Sequence, residues 1–275
     1  MSFLPNVGVV GVGFVGNAMK ESFGMKGLTV KCYDKFKDGG IGTLDELIDC
    51  EILFLCLPTP YNSEMQEYDK SAIYDVCEEL SEKKFRGITV IKSTIEIKTM
   101  NYLKDNYPLK YIHNPEFLTA ETALKDFHNQ SHIVLGIDES VTNIDVHYLH
   151  TFYNTYYPGT TISICSVNES EAMKLFCNCF YATKVQLFNE LYCLCEQMDI
   201  SYNNVTKLMI GNGWINPMHT IVPGTDGKMS YGGYCFPKDT NALNELMKKH
   251  KTPNAVLNAV IRERNEMRED NENCS

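Results

Sequence analysis

Apolar and polar residues follow two different rhythms along this chain. Short apolar runs recur through its first part, at Val7 to Val10, Leu28 to Tyr33, Glu51 to Leu57, Gly87 to Ile91, Lys110 to His113 and Ile133 to Ile137. Each is bounded by turn-forming or polar residues, the pattern of a buried strand. Between them lie stretches with helical spacing of apolar positions, from Asn17 to about Phe23, Lys70 to Lys83, Thr122 to Phe127 and Asn143 to Tyr153. Strand and helix in alternation predict a parallel sheet wound on both faces, with ligands gathering at the carboxyl ends of the strands.

From about Ser170 the rhythm changes. No proline or glycine interrupts the chain as far as Gln197, and Leu, Phe, Met and Ala are dense, which predicts one long helix capped by Asn168 or Ser170. Further helical patterns run from Ser201 to Gly211 and from Asn241 to Met267, with the Arg/Glu/Asn-rich end expected to fray. The fold class is therefore α/β. A doubly wound parallel sheet occupies 1–166, and a long central helix with a small all-helical domain occupies 167–275.

The turn after the first run sharpens this. Gly11-Val12-Gly13-Phe14-Val15-Gly16 has the G-x-G-x-x-G spacing, with a strand before it and a helix after it. The first glycine turns the chain, the second lets the backbone approach a pyrophosphate, and the third packs helix on strand. The second run ends in Asp34, where a carboxylate would hold an adenosine ribose and repel a 2′-phosphate. The expected fold is thus Rossmann-like and the expected cofactor is NAD rather than NADP. Polar residues also follow later strands: Pro58-Thr59-Pro60, Ser93-Thr94 and Asn114-Pro115-Glu116.

In the second part, Tyr231-Gly232-Gly233-Tyr234-Cys235-Phe236-Pro237-Lys238-Asp239-Thr240 places a cysteine in a polar glycine loop. A nearby cation favours a thiolate nucleophile, which Lys238 could supply, and Asp239 could take a proton or orient a water. On the long helix, Glu171, Lys174 and Asn178 share one face. By itself that Glu–Lys pair reads better as a solvated ion pair of small energy.

Composition narrows the partners. The net charge is −10 and the pI about 5.2, which excludes nucleic acid as a general partner. The cysteines number 11, none in a Cys-x-x-Cys pair, which argues against a zinc site or a disulfide framework and suits a reducing compartment. The start of the chain lacks a signal-peptide pattern, and no apolar run is long enough to cross a bilayer. The expectation is a cytoplasmic, metal-free protein with no membrane partner.

Gly-Gly-x-Cys-Phe-Pro-Lys-Asp resembles the nucleophile motif of the UDP-glucose/GDP-mannose dehydrogenase family. The resemblance extends to Leu-Pro-Thr-Pro after the third strand, Lys-Ser-Thr after the fourth, Asn114-Pro115-Glu116-Phe117-Leu118, and Glu-x-x-Lys-x-x-x-Asn on the long helix. It implies an NAD-dependent oxidation of UDP-glucose to UDP-glucuronate in two steps, through a thiohemiacetal and a thioester on Cys235. It implies catalytic roles for Lys174, Asn178, Asp239, Glu116 and Thr94. Cofactor contacts are implied at Gly11, Gly13, Phe14, Val15, Gly16, Asp34, Pro58, Thr59, Pro60, Ser93, Thr94 and Lys238. Substrate contacts are implied at Glu116, Phe117, Leu118, Lys174, Asn178, Tyr231 and Gly232. A homodimer through the central helix is implied as well.

The chain also departs from the family. Thr119-Ala120-Glu121 stands where members usually have Arg-Glu-Gly, and Trp214 stands where they usually have an arginine. Members normally continue into a third domain beyond the point where this chain stops, so a separate chain supplying that domain is a possible partner. Two other readings remain open: a two-electron β-hydroxyacid dehydrogenase, which needs no nucleophilic cysteine, and a non-catalytic NAD- or nucleotide-sugar-binding dimer.

Overall fold

In the computed structural model, which describes residues 4–268, every apolar run of the first part forms a strand. These are β1 (Val7–Val10), β2 (Val30–Tyr33), β3 (Ile52–Leu55), β6 (Ile88–Ile91), β7 (Lys110–His113) and β8 (His132–Ile137). Two short strands, β4 (Tyr61–Asn62) and β5 (Glu67–Tyr68), form a separate hairpin. The large sheet has seven strands in the order β2-β1-β3-β6-β7-β8-β9, with β9 (Thr161–Ser166) at one edge. No apolar run announces β9, because as an edge strand its residues are exposed or half-buried.

The sheet is parallel except at one pair: β8 runs antiparallel to β7, with His113 opposite Gly136. The expected parallel, doubly wound sheet is thus present with one antiparallel pair in it. The connection contains only the six-residue helix α4 (Ala123–His128), about 9 Å long at 1.5 Å per residue. So short a helix does not return the chain to the opposite edge, so β8 starts near where β7 ends.

Side chains of β3 alternate between two cores. Ile52 and Phe54 join Phe23, Phe152 and Tyr153 on one face. Leu53 and Leu55 join Leu47, Ile73, Leu80 and Leu103 on the other. A strand apolar on both sides is what a doubly covered sheet requires. The helices of this layer are α1 (Phe14–Met25), α2 (Ser71–Glu82), α3 (Thr99–Asn106) and α5 (Asn143–Tyr156).

The long helix α6 runs from Val167 to Gln197. It starts earlier than the expected caps, because Ser166 and Glu169 form a reciprocal pair. The Glu169 N–H donates to Ser166 Oγ at 3.3 Å, and the Ser166 N–H donates to Glu169 Oε2 at 2.8 Å. The pattern read as one helix from Asn241 to Met267 is two helices, α8 (Phe236–Lys249) and α9 (Ala255–Met267). Pro253 lies between them, and proline neither donates the helical N–H nor tolerates a helical predecessor. The rest of the expected frayed end lies outside the described residues. With α7 (Tyr202–Gly211), capped by Ser201, these are the helices of the second part among the described residues.

The chain divides into two compact units, and the division falls inside α6. One comprises 4–59 with 69–174, the other 60–68 with 175–268. The hairpin β4–β5 therefore belongs with the helices of the second unit. That unit has its own small clusters, among them Leu175, Cys179, Leu243 and Leu257, and Phe188, Cys195 and Tyr202. Among the described residues, no helix is long and apolar enough to cross a membrane.

Candidate active site

The residues singled out from sequence fall into two sets, one in each unit. In the first unit all but Glu171 and Lys174, which lie on α6, follow the carboxyl ends of parallel strands. Gly11 sits at φ 85°, and a Cβ there would lie 2.4 Å from the Cys56 carbonyl oxygen. A Cβ on Gly16 would lie 1.9 Å from the Gly11 oxygen, so α1 packs directly on the turn. A Cβ on Gly13, by contrast, would meet nothing within 4 Å. Gly13 is also the N-cap of α1, with no side-chain cap and no acidic residue in the first turn. Uncapped amides at the positive end of a helix, facing open space, fit the pyrophosphate of a dinucleotide. Phe14 is exposed beside them and Val15 is half-buried.

Asp34 is tied to this turn. Its carboxylate accepts the N–H of Val12 at 2.7 Å, of Phe36 at 3.0 Å and of Lys37 at 2.9 Å. Partial burial opposes its charge, but these three amides and the Lys37 ammonium outweigh it and hold the carboxyl below its usual range. Asp34 is thus ionised where a ribose diol would bind. The loops after β3 and β6 are stitched together. Ser93 Oγ donates to the Leu57 carbonyl at 2.7 Å and accepts its N–H at 3.0 Å, and Thr59 donates to the Thr94 carbonyl at 2.7 Å. Pro58 projects outward and Pro60 is half-buried.

Beneath the loop after β7 lies a buried polar network that the sequence did not announce. Lys92 is only 1 % exposed, and its ammonium donates to Asn114 Oδ1 at 3.1 Å. Burial pushes its pKa down to about 8, against the charges of Glu116 and Cys56, which favour protonation. Tyr153 also donates to Asn114 Oδ1, and Asn114 Nδ2 donates to the Val134 carbonyl at 2.8 Å. Asn114 is therefore anchored on three sides and carries Pro115 and Glu116 with it. Lys174 Nζ donates to the Glu116 carbonyl at 2.7 Å, lies 3.9 Å from Glu116 Oε1 and sits 5.1 Å from the centre of the Phe117 ring. Glu116 Oε2 is buried with no protein partner. A carboxylate with one oxygen unclaimed beside a buried ammonium is suited to exchanging a proton with a bound hydroxyl. Leu118 is half-buried, packed against the core under this loop.

Glu171 turns out not to pair with Lys174. Its carboxylate accepts the N–H of Lys98 and of Met100, both at 2.7 Å, and so caps the start of α3 in the segment that follows Thr94. Burial raises its pKa to about 7, although the amides it accepts work the other way. Such a raised carboxyl costs stability only when ionised. The folded state holds the extra proton between about 4.5 and 7, so stability attributable to Glu171 falls as pH rises through that window. Glu171→Gln is expected to remove this slope. The stability of wild type relative to the variant, from urea denaturation, should fall by about 3 kcal/mol between pH 4.5 and pH 7.5. A constant difference across that range would show that the carboxyl is not perturbed.

The second set surrounds the start of α8. Cys235 is the N-cap of that helix and is exposed, with Gly233 at φ 75° turning the chain into it. Pro237, Lys238 and Asp239, expected in the loop, instead form the first turn of the helix. Asp239 is fully buried and accepts three hydrogen bonds. Tyr68 O–H donates to Oδ1 at 2.5 Å, Lys238 Nζ to Oδ1 at 2.6 Å and Asn178 Nδ2 to Oδ2 at 2.6 Å. The ammonium of Lys238 is thus directed at Asp239, and it also lies 4.0 Å from the centre of the Tyr68 ring. Tyr231 is buried, with its carbonyl accepting from Arg264 Nε at 3.2 Å. A Cβ on Gly232 would lie 2.3 Å from the Arg268 guanidinium, so a larger residue there would displace that side chain. Trp214 is 93 % exposed. Sequence reasoning missed Tyr68, which no periodicity or motif marks; Lys92 and Asn114 stand in quoted motifs, but their burial and mutual hydrogen bond were not foreseen.

Comparison with known proteins agrees with both halves. Residues 42–156 match the NAD binding domain of the UDP-glucose/GDP-mannose dehydrogenase family, and residues 168–266 match its central domain. The glycine turn lies ahead of the first match, which begins at residue 42. UDP-glucose 6-dehydrogenase of Rickettsia bellii is 31 % identical over 235 residues, covering 81 % of this chain and 51 % of its own length. That of Campylobacter jejuni is 28 % identical, covering 80 % and 54 %. The chain thus spans about half the length of the curated relatives it matches. Among solved structures, a UDP-glucose dehydrogenase from Pyrobaculum islandicum superposes with a TM-score of 0.81 at 20 % identity, covering 96 % of this chain and 69 % of that one. A 3-hydroxyisobutyrate dehydrogenase from Mycobacterium tuberculosis gives 0.73 at 13 % identity, covering 99 % and 97 %. At such identities these structures speak for the fold. The cofactor of this architecture is NAD, and the chain, matched by both family domains in the right order, belongs to the UDP-glucose/GDP-mannose dehydrogenase family.

Proposed function

We propose that this protein is an NAD-dependent nucleotide-sugar 6-dehydrogenase that oxidises UDP-glucose to UDP-glucuronate in two steps. The observation that carries the reading is the start of α8, where an exposed cysteine precedes, by one helical turn, a buried and fully oriented carboxylate. A simple alcohol oxidation has no use for such a pair. A second oxidation, from aldehyde to acid, needs a nucleophile to hold the aldehyde carbon in tetrahedral form.

NAD, when bound on Gly11 to Gly16, Asp34 and the loops of Thr59 and Ser93-Thr94, accepts the hydride in each oxidation. Glu116 takes the proton of the C6 hydroxyl, and Lys174 and Asn178 stabilise the oxygen as it gains charge. Cys235 Sγ adds to the aldehyde carbon to form the thiohemiacetal, which becomes a thioester on oxidation. Asp239 accepts a proton from the water that hydrolyses it. Phe117, Leu118, Tyr231 and Gly232 line the sugar nucleotide, Thr94 contributes a hydroxyl to the oxyanion, and Lys238 serves the cofactor and Asp239.

The test is to supply NAD with UDP-glucose, GDP-mannose and UDP-N-acetylmannosamine separately, following NADH and product. Two NADH per sugar acid from UDP-glucose alone is the expected result. A second reading is a two-electron hydroxyacid dehydrogenase, favoured by the likeness to 3-hydroxyisobutyrate dehydrogenase over nearly the whole of both chains. One NADH per turnover from a β-hydroxyacid, and none from a sugar nucleotide, would select it. Binding of NAD or sugar nucleotide, seen as a raised melting temperature, without any NADH would select the non-catalytic reading.

The functional form in this proposal is a homodimer. Phe176, Phe180, Leu187 and Leu194 are each more than half exposed and recur on α6 at spacings of four and seven, which aligns them in one stripe. A second copy of the same helix is the partner such a seam fits. Light scattering should give twice the chain mass, and Phe180→Asp with Leu187→Asp should give the single mass. A wild-type monomer at micromolar concentration would overturn this assembly.

A further inference from the structure

Tyr68 reaches Asp239 from a part of the chain that no motif marks. The hairpin that carries it is locally encoded. Asn62 Oδ1 accepts the N–H of Glu64 and of Met65, both at 3.0 Å, and Gln66 adopts φ 56° to close the turn. Tyr61 then pairs with Tyr68, and Asn62 with Glu67. The hairpin belongs to the helical unit rather than to the sheet that surrounds it in sequence. Its last residue, Tyr68, is 1 % exposed, with its ring beside Lys238 and its hydroxyl on Asp239 Oδ1.

A carboxylate offers about four lone-pair directions. Asp239 Oδ1 spends two on Tyr68 and Lys238, and Oδ2 spends one on Asn178. One direction remains, on Oδ2. We infer that Tyr68 is a positioning residue for hydrolysis of the acyl-enzyme, acting through Asp239, an assignment that rests on the dehydrogenase reading above. By occupying Oδ1 it fixes the rotation of the carboxylate, so that the remaining Oδ2 lone pair meets the attacking water.

In that step the water oxygen bonds to the thioester carbon while one of its protons passes to Asp239 Oδ2. The carbon–sulfur bond breaks, its electron pair leaves with Cys235 as thiolate, and the sugar carboxylic acid is released. The acid and Asp239 then each give their proton to solvent. Tyr68 keeps its own proton throughout. Nothing is oxidised or reduced, and both hydride transfers precede it.

Tyr68→Phe keeps the ring beside Lys238 and removes only the hydroxyl. Rapid mixing of the variant with NAD and UDP-glucose should still give a burst of NADH close to two per active site. Steady-state kcat should fall about tenfold to a hundredfold, the range of a mispositioned general base. Because hydrolysis follows both hydride transfers, kcat/KM for NAD and UDP-glucose should not change, and each KM should fall along with kcat. Intact-protein mass spectrometry should find the sugar acyl group on Cys235, removable with hydroxylamine. In an Asp239→Asn background, Tyr68→Phe should cause no further loss.

A variant with kcat within twofold of wild type and no trapped adduct overturns the assignment. So does a lost burst accompanied by a lower melting temperature, which marks Tyr68 as structural only. If wild type releases no NADH from any sugar nucleotide, the dehydrogenase reading falls and takes this assignment with it. An active wild type with an unaffected variant sinks the Tyr68 role alone.

Discussion

Replacing Cys235 by alanine is expected to stop sugar-acid formation, lowering its rate by about 10³-fold or more, which corresponds to ~4 kcal/mol of lost transition-state stabilisation. Among the described residues, neither Asp239 nor Lys238 is placed to substitute. Asp239 is buried with three of its lone pairs engaged, and Lys238 is directed at Asp239. Without the sulfur, the aldehyde has nothing to hold it as a tetrahedral adduct for the second oxidation. At most one NADH per sugar should appear. The protein itself should be unharmed, because Cys235 is exposed and makes no side-chain capping bond to α8. A surface change of that kind alters stability by about 0.5 kcal/mol or less. The measurement is NADH against sugar acid by chromatography, with a thermal melt alongside. Two NADH per sugar acid from the alanine variant would remove the thioester from the mechanism.

Lys174→Met carries the second largest expected effect. Lys174 is 5 % exposed, and its ammonium bridges the main chain and side chain of Glu116. Methionine fills the same space without the charge. Loss of a preorganised cation at a developing oxyanion costs about 10²–10³ in kcat. NAD affinity, measured by fluorescence or calorimetry, should change little, because the hydrogen bond, ion pair and ring contact of Lys174 are with Glu116 and Phe117. The effect should also be coupled to Glu116. Glu116→Gln should cost less in the Lys174→Met background than in wild type, since each residue acts on the other. A kcat within threefold of wild type, or strictly additive losses, would separate Lys174 from the chemistry.

How much of this was legible in the sequence depends on the range of the interactions involved. The strands read correctly where both faces are buried, as for β3, because continuous apolar runs survive any choice of partner. The edge strand β9 did not read, since half of its residues face outward. The single helix from Asn241 to Met267 was a misreading of the same kind. Helical spacing persists on both sides of Pro253, and only the backbone break separates α8 from α9. The caps of α6 were placed a little late because Ser170, a good cap in isolation, is instead bonded to the buried ring of His113.

Local rules already legible in the chain set the strand–glycine turn–helix of the cofactor cradle and the glycine turn that leads into Cys235. Both rest on steric and conformational rules that act within a few residues: where a Cβ cannot fit, where φ must be positive, where a helix can start. The partners of the buried charges, by contrast, come from how distant segments pack together. Glu171 and Lys174 are neighbours on one helix face, yet one caps α3 and the other holds Glu116. Asp239 meets Tyr68 from 171 residues away. A buried polar group must be satisfied by whatever surface folding brings against it, and that choice is made by packing, which has no short-range signature in the chain.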